Sequence, residues 1–449
     1  MKTHSRNLMM SAVFALCAPL AQAAITAEEA KALGNTLTAV GAEKAGNADG
    51  SIPAYEGGIT TPPASYKKGD GLLPDPYAGE KPLYSISGAN AAQHAAQLTE
   101  GAQALLKRYP SFRMDVYPTH RSVAFPKYVK DNTAGCATTA STTPDGQSMK
   151  GCLAGFPFPV PKTGSEAMWN HLLRFEGQAQ QTKYRNFNVN GGKPTLAVEA
   201  MATNEYPYWD PSKKASETYW RLKLVYSGPA RRAGEAILLV DPLDYTQGGR
   251  KAWQYLPGQR RVKLAPDLAH DTPSPGTSGA STYDDTFLFN GSMERYTFKL
   301  VGKQEMVVPY NTYKLAYDTT QEALFKPEHL NPDLVRWEKH RVWVVEAALA
   351  PGKRHVYSKR RFYIDEDSWM ILAADEYDAR GQLYRTGFAY QTPRYDLPAP
   401  NASVFGHYDL ISGIYTLVGW AAQTGGVKFV EPLGDKDWTA DAIAGNGLR

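Results

Sequence analysis

Three groups of side chains in this sequence could carry chemistry: histidines set among acids, a run of carboxylates, and a serine in a glycine-rich stretch. His329, His340 and His355 follow one another with Glu338 and Glu346 between them. Imidazole with carboxylate is a zinc ligand set, but a zinc-binding helix needs two histidines four apart, and these are spaced far more widely. Core or strand-edge histidines are the commoner outcome. Asp365, Glu366 and Asp367 put three carboxylates in a row. Such a knot can hold calcium, yet the twelve-residue loop with its central Gly and terminal Glu is missing, and a hairpin turn accounts for it. Asp284 and Asp285 read likewise, as a turn leading into a strand. The serine stretch, "GTSGA" at 276–280, lacks the Gly-x-Ser-x-Gly spacing that lifts a nucleophile on a strained turn. No catalytic residue, metal site or cofactor motif is assigned, and the expectation is a non-enzymatic protein.

The remaining chemistry is that of surfaces. "WQYLPGQRRVKLAP", 253–266, reads as a β-hairpin reversed at Pro257-Gly258, with Val262 and Leu264 on one face and Arg261 and Lys263 on the other. Trp253, Tyr255, Val262 and Leu264 are expected to face an apolar interior, with Arg260, Arg261 and Lys263 at its rim. Trp220, Leu222, Leu224, Tyr296 and Phe298 sit at alternate positions of two further strand-like runs and complete the candidate lining of a hydrophobic cargo site. Ordinary core packing would leave the same pattern. The basic runs 260–263 and 358–362 alternate with apolar residues, as solvated strand faces do. Docking of an acidic partner or of anionic lipid headgroups, to which arginine offers bidentate contacts, is the functional alternative.

What must position these residues is mostly sheet. Residues 24–89 are rich in Pro and Gly and read as an extended arm anchored by Tyr55, Tyr66, Tyr77 and Tyr84. A helical spacing of Ala91, Ala95, Leu98, Ala102 and Leu105 predicts one helix over 90–108, stopped by Pro110. A second helix is expected at 165–175, with Ser165 as its cap and Trp169, Leu172 and Leu173 inward. After Thr195 the period falls to two. Strands are predicted at 195–201, 219–226, 235–241, 251–256, 260–264, 286–290, 295–301, 306–317, 341–349, 355–365, 369–377 and 382–391. So many strands in one antiparallel, meandering sheet must curl. The helices are then expected on the concave side, and 265–285, a Gly/Pro/Ser/Thr stretch, reads as a mobile lid. The domain reading is an arm over 24–89, a half-barrel over 90–420 and a C-terminal tail over 421–449.

The first residues carry Lys2 and Arg6, an apolar run from Leu8 to Leu20, and Ala21-Gln22-Ala23. This reads as a secretory signal peptide over 1–23, cut before Ala24. Cys17 lies within it, leaving Cys136 and Cys152, whose expected state in an oxidising compartment is a disulfide. Lys2 and Arg6 leave with the leader, so 49 Lys and Arg fall to 47 against 45 Asp and Glu. Such a balance gives no electrostatic case for nucleic acid. No later stretch is long and apolar enough for a membrane-spanning helix. Charges on both strand faces disfavour an outer-membrane barrel.

The segments "LTAVGAEKAGNADGSIPAYEGG", "WQYLPGQRRVKLAP", "HLNPDLVRWEKHRVWVVEA" and "RRFYIDEDSW" resemble the proteobacterial family of domain of unknown function 1329, which is similar to outer-membrane lipoprotein-sorting proteins. The resemblance runs from about Leu33 to Tyr415. It implies a periplasmic protein with a fold related to the carriers LolA and LolB: a strongly bent, unclosed antiparallel β-barrel, mainly β with some α, with helices over an apolar concave side. It also implies partnership with exporters of the resistance-nodulation-division type and an outer-membrane protein. The expected function is carriage of a lipid, acylated or other hydrophobic cargo toward the outer membrane, with peripheral membrane contact. An adaptor bridging exporter and outer-membrane protein without cargo is the alternative.

Overall fold

The computed structural model of the protein describes residues 25–446. The expected signal peptide and its cleavage point lie outside them. After a short helix α1 (Ala27–Ala30) the chain runs without regular structure to β1 (Tyr84–Ile86). Tyrosines tie this stretch down. The Tyr55 hydroxyl donates to the Val123 carbonyl (2.8 Å), that of Tyr66 to Asp396 Oδ2 (3.2 Å), and the Tyr77 ring stacks on His120 at 4.1 Å.

The single helix expected over 90–108 is two elements. A 3₁₀ turn covers Ala91–Gln97, Leu98 is extended, and Thr99 caps α2 (Glu100–Arg108) by accepting from the Ala102 amide at 3.0 Å. The threonine oxygen satisfies an amide that a helix start leaves without a partner, so a new helix begins there. There follow β2 (Met114–Val116), α3 (Lys127–Thr139), a small hairpin of β3 (Ser141–Thr142) and β4 (Met149–Lys150), and α4 (Gly164–Leu172). Cys136 on α3 is disulfide-bonded to Cys152. The cap of α4 is Thr163, two residues earlier than Ser165. Its residues Trp169 and Leu172, with Leu173 after it, are buried in the main core.

Two meanders form one 16-stranded sheet. The first comprises β5 (Ala179–Asn190), β6 (Lys193–Glu205), β7 (Thr218–Gly228), β8 (Ala236–Pro242), β9 (Lys251–Leu256) and β10 (Arg261–Leu264). The second opens with β11 (Tyr296–Pro309), passes through the short helices α5 (Tyr313–Tyr317) and α6 (Gln321–Leu324), and continues as β12 (Trp337–Leu349), β13 (Lys359–Asp365), β14 (Ile371–Tyr377), β15 (Leu383–Ala389), β16 (Phe405–Asp409) and β17 (Tyr415–Trp420). β17 lies antiparallel to β5, with Leu417 opposite Phe187, and fuses the two. β18 (Val427–Phe429) pairs with the other end of β5, and β2 adds to β12 in parallel. Among the described residues β10 pairs only with β9 and β11 only with β12, so the sheet is bent but not closed.

Two strand expectations are corrected. Residues 286–290 are not a strand: Tyr283–Leu288 is a 3₁₀ segment in which Phe287 and Leu288 have φ of 54° and 67°. The expected strand over 306–317 is the end of β11 followed by α5, because Asn311 (φ 53°) turns the chain after Pro309. β5, β16 and β17 stand where no strand was expected. The C-terminal residues cross the outer face of the first meander and end in α7 (Ala440–Asn446), with Trp438 and Ile443 packed on Ala236, Leu238 and Tyr255.

Candidate binding cavity

Pairing register decides which side chains of the first meander share a face. One row crosses the sheet from Gln180 through Asn204, Leu222 and Leu239 to Ala252, and the next from Thr182 through Ala202, Leu224, Ile237 and Gln254 to Lys263. These rows face the concave side. Strand alternation puts their neighbours on the other face: Lys223, Val225, Leu238, Trp253, Tyr255, Val262 and Leu264.

Over the concave rows runs the connection from β10 to β11, which spans the open side from one sheet edge to the other. It is not a free lid. Leu268, Thr277, Tyr283, Asp285 and Leu288 in it are buried. Asn186 Nδ2 donates to the Gly276 carbonyl (2.9 Å), Asn188 Nδ2 to that of Thr277 (2.5 Å) and Arg232 Nη1 to that of Pro275 (3.0 Å). Beneath it lies a cavity of about 140 Å³, comparable with an apolar cavity that accepts a benzene-sized molecule. Its floor is Trp220, Leu222, Leu224, Ile237 and Leu239, with Phe287 from the crossing segment and Phe405 from β16 as walls. Half-buried Tyr184, Leu224 and Val418 mark where solvent reaches it.

Of the residues expected to line a cargo site, Trp220, Leu222 and Leu224 are in this lining. Trp253, Tyr255 and Val262 are not. They lie one residue out of the expected register, on the outer face, packed with Leu238 beneath the segment that carries Trp438 and Ile443. Leu264 shares that face and is 61 % exposed. Tyr296 and Phe298 belong to β11 in the other meander. The Tyr296 hydroxyl donates to the Tyr357 carbonyl (3.0 Å), and Phe298 packs edge-on to Phe289 at 5.9 Å. Arg260 sits in the hairpin turn with φ 48°. Arg261 and Lys263 are exposed and point to the concave side of the open edge, opposite Leu256 and Gln254. Among the described residues these three cations form no ion pair.

The histidines do not converge. His329 faces Ser111 Oγ (2.8 Å), His340 stacks on Tyr310 (3.6 Å) and faces Glu338 Oε2 (3.0 Å), and His355 faces Asp284 Oδ2 (2.9 Å). Glu346 pairs with Arg361 at 3.2 Å. Asp365, Glu366 and Asp367 form the turn between β13 and β14, as expected, but they are buried in it. Arg121 grips both oxygens of Asp367 (2.9 and 2.7 Å), and Lys303 reaches Glu366 (2.8 Å). Burial, then the charge of Asp367, pushes the Asp365 carboxyl up to about 7, and Ser368 Oγ donates to it at 2.6 Å. Asp284 and Asp285 likewise form a buried ionic cluster. Arg360, fully buried on β13, lies 3.3 Å from Asp284, 2.9 Å from Asp285 and 3.5 Å from Glu376. It thereby fastens the crossing segment to the second meander. His407 lies beside this cluster, and His340 beside Asp365 and Asp367. In both places a guanidinium already sits among the acids.

His171 on α4 escaped the sequence reading. The Ile371 amide donates to its Nδ1 (3.1 Å), so Nε2 carries the proton given to the Phe289 carbonyl (2.9 Å). Burial, then Arg174, pushes its pKa down to about 3. This neutral imidazole joins the crossing segment to the core as a structural bridge.

The chain matches the family described as Protein of unknown function (DUF1329) over residues 85–444. It is 38 % identical to an uncharacterized protein of Pseudomonas aeruginosa, PA3922, over the whole of both chains. Among solved structures it is similar to a Vibrio parahaemolyticus domain named for outer membrane lipoprotein sorting (17 % identity, 62 % of this chain and 97 % of that one, TM-score 0.44). It is also similar to a DUF1329 family protein of Desulfovibrio piger (16 %, 60 % and 92 %, TM-score 0.41) and to a LolA superfamily protein of Nitrosomonas europaea (14 %, 63 % and 99 %, TM-score 0.37). No helix among the described residues is long and apolar enough to cross a membrane.

Proposed function

The chain belongs to the DUF1329 family, and from that membership and the cavity we propose that it is a periplasmic carrier sheltering a hydrophobic cargo, such as an acyl chain, on the way toward the outer membrane. The observation that carries the reading is the apolar floor of Trp220, Leu222, Leu224, Ile237 and Leu239 beneath the crossing segment. Each methylene moved from water onto such a floor gains about 0.8 kcal/mol, so a few suffice for useful affinity. In this proposal Trp220, Leu222 and Leu224 remain contact residues, while Trp253, Tyr255, Val262, Leu264, Tyr296 and Phe298 leave the cargo set. Arg260, Arg261 and Lys263, exposed at the open sheet edge, are the proposed docking cations for anionic headgroups or an acidic partner. Hand-over between a resistance-nodulation-division-type exporter and an outer-membrane protein follows from the family resemblance. An adaptor without cargo would have no use for the cavity. The carrier is read as non-enzymatic, since the buried acids named above are met by Arg121, Lys303 and Arg360 rather than left facing a substrate site.

The test is organic extraction and mass spectrometry of protein purified from its native compartment, alongside titration with a neutral hydrophobic fluorophore. A retained amphiphile and saturable probe binding, both lost in Leu222→Arg, are expected. Wild-type protein that retains nothing and leaves the probe unbound would overturn the carrier reading.

A further inference from the structure

Resting on the carrier reading, we infer that the cavity selects an uncharged amphiphile bearing hydroxyl, carbonyl or amide groups, and discriminates against fatty-acid anions and cationic amphiphiles of the same chain length. None of its 24 described lining residues is Asp, Glu, Lys, Arg or His, in a chain of which 21 % is charged. The lining is nevertheless not uniformly apolar. Along β5 the inward positions are Gln180, Thr182, Tyr184 and Asn186; the Asn186 amide is taken up by Gly276 and Gly419, and the other three offer a stripe of neutral hydrogen-bonding groups two residues apart. Two strands away, β7 presents the apolar row that begins at Trp220. A ligand with a polar edge and an apolar face matches this surface.

Three cations stand behind the aromatic walls of the cavity, and each is already matched; Asp284 and Asp285, next to the lining residue Thr282, are held by Arg360. Arg174 lies 4.0 Å from the Phe287 ring centre and pairs with Glu176 at 3.2 Å. Arg232 lies 4.1 Å from the Tyr226 ring centre and pairs with Glu235 at 2.9 Å. Arg250 lies 5.8 Å from the Trp220 ring centre and holds both oxygens of Asp241 at 2.7 Å. A ligand carboxylate would have to leave water without a free cation to meet it, and a ligand cation would find no free carboxylate. The exposed cation Lys263, on the same sheet face, is three strands from Leu224. That is about 14 Å at the usual strand spacing, too far to neutralise a headgroup seated over β7.

The experiment is isothermal titration of the full chain, freed of lipid, with 1-decanoylglycerol, decanoate and decyltrimethylammonium, each below its micelle threshold. The expected result is affinity for the neutral probe at least about tenfold above either charged one. Leu224→Lys, at the half-exposed mouth, should cut that preference over decanoate severalfold by supplying the missing cation. Equal or tighter binding of either charged probe to wild-type protein overturns this inference and leaves the carrier reading standing. An unchanged preference in a folded Leu224→Lys protein overturns the assignment of the selectivity to this cavity. If none of the three binds, the carrier reading itself fails, and the selectivity with it.

Discussion

Replacing Arg360 with Met tests whether the crossing segment is fastened by charge. The guanidinium is fully buried, contacts Asp284, Asp285 and Glu376, and also donates to the Leu288 carbonyl at 2.9 Å. Methionine fills similar space but leaves three buried carboxylates facing His355, His407 and the Arg385–Tyr357 pair, whose tyrosine hydroxyl donates to Asp285 at 2.8 Å. Breaking a buried ion cluster by removing one partner costs about 3–5 kcal/mol, a fall of roughly 10²- to 10⁴-fold in the folded-to-unfolded ratio. The pH dependence has a definite sign. In the wild type Asp284 and Asp285 lie below the ordinary carboxylate range against the opposing effect of burial, Asp284 chiefly through Arg360 and Asp285 through His407 and then Arg360. Their contribution is therefore complete above the unfolded value near 4 and is lost only as pH falls below it. Without Arg360 burial dominates, the carboxyl groups are raised above their unfolded values, and the variant loses stability as pH rises from about 4 to neutrality. The deficit should thus be largest at about pH 7.5 and clearly smaller at about pH 5. Urea unfolding followed by tryptophan fluorescence at both pH values measures it. A variant as stable as wild type at the higher pH, or a deficit that does not shrink at the lower, would refute the reasoning.

Other expectations follow from single contacts. A Cβ on Gly101 would lie 2.0 Å from Thr386 Oγ1 and 2.5 Å from Asp375 Oδ1, so Gly101→Ala should destabilise by about 1–3 kcal/mol, read as a lowered Tm. Trp253→Glu should leave probe binding within about twofold of wild type, because the side chain is on the outer face, while protease trimming after Leu433 accelerates as the apolar contact with the C-terminal segment is lost; abolished probe binding with an intact C-terminus would contradict the register. Replacing Cys136 and Cys152 together by Ser should lower stability by about 3 kcal/mol, and peptide mapping without reductant should show the linked pair in the wild type.

Most of the sheet was legible because its strands alternate apolar with polar residues, as "YWRLKLVY" does in β7. β5 was not, and the reason is the cavity. Its inward face over 180–186 is Gln180, Thr182, Tyr184 and Asn186, so apolar alternation marks only the last part of the strand, Phe187 and Val189, and not the part that forms the polar side of the site. The hairpin of β9 and β10 and its apolar face are legible, but what that face meets is not. Trp253 and Tyr255 do meet an apolar partner. That partner is Trp438 and Ile443, whose neighbourhood, "DWTADAIAG", carries little hydrophobic pattern to announce a covering element. The acidic knot at 365–367 is legible as a turn but not as a buried one, because its counter-charges, Arg121 and Lys303, come from distant parts of the chain. The fastening of the crossing segment was hidden likewise, since Asp284 and Asp285 meet Arg360 only once both meanders exist.

The seam between β5 and β17 sets an order of assembly. On the proposed export route, a chain emerging from a membrane pore N-terminus first delivers β5 to β10 early, but the β5 edge that receives β17 stays bare until almost the last strand has come through. A bare edge is a template for wrong pairing, so the early half needs protection during its wait. The wall residues Phe405, Val418 and Gly419 also arrive with that last portion. On that route the proposed container is finished only when translocation is nearly complete, and a partly exported chain has no compartment in which to load anything.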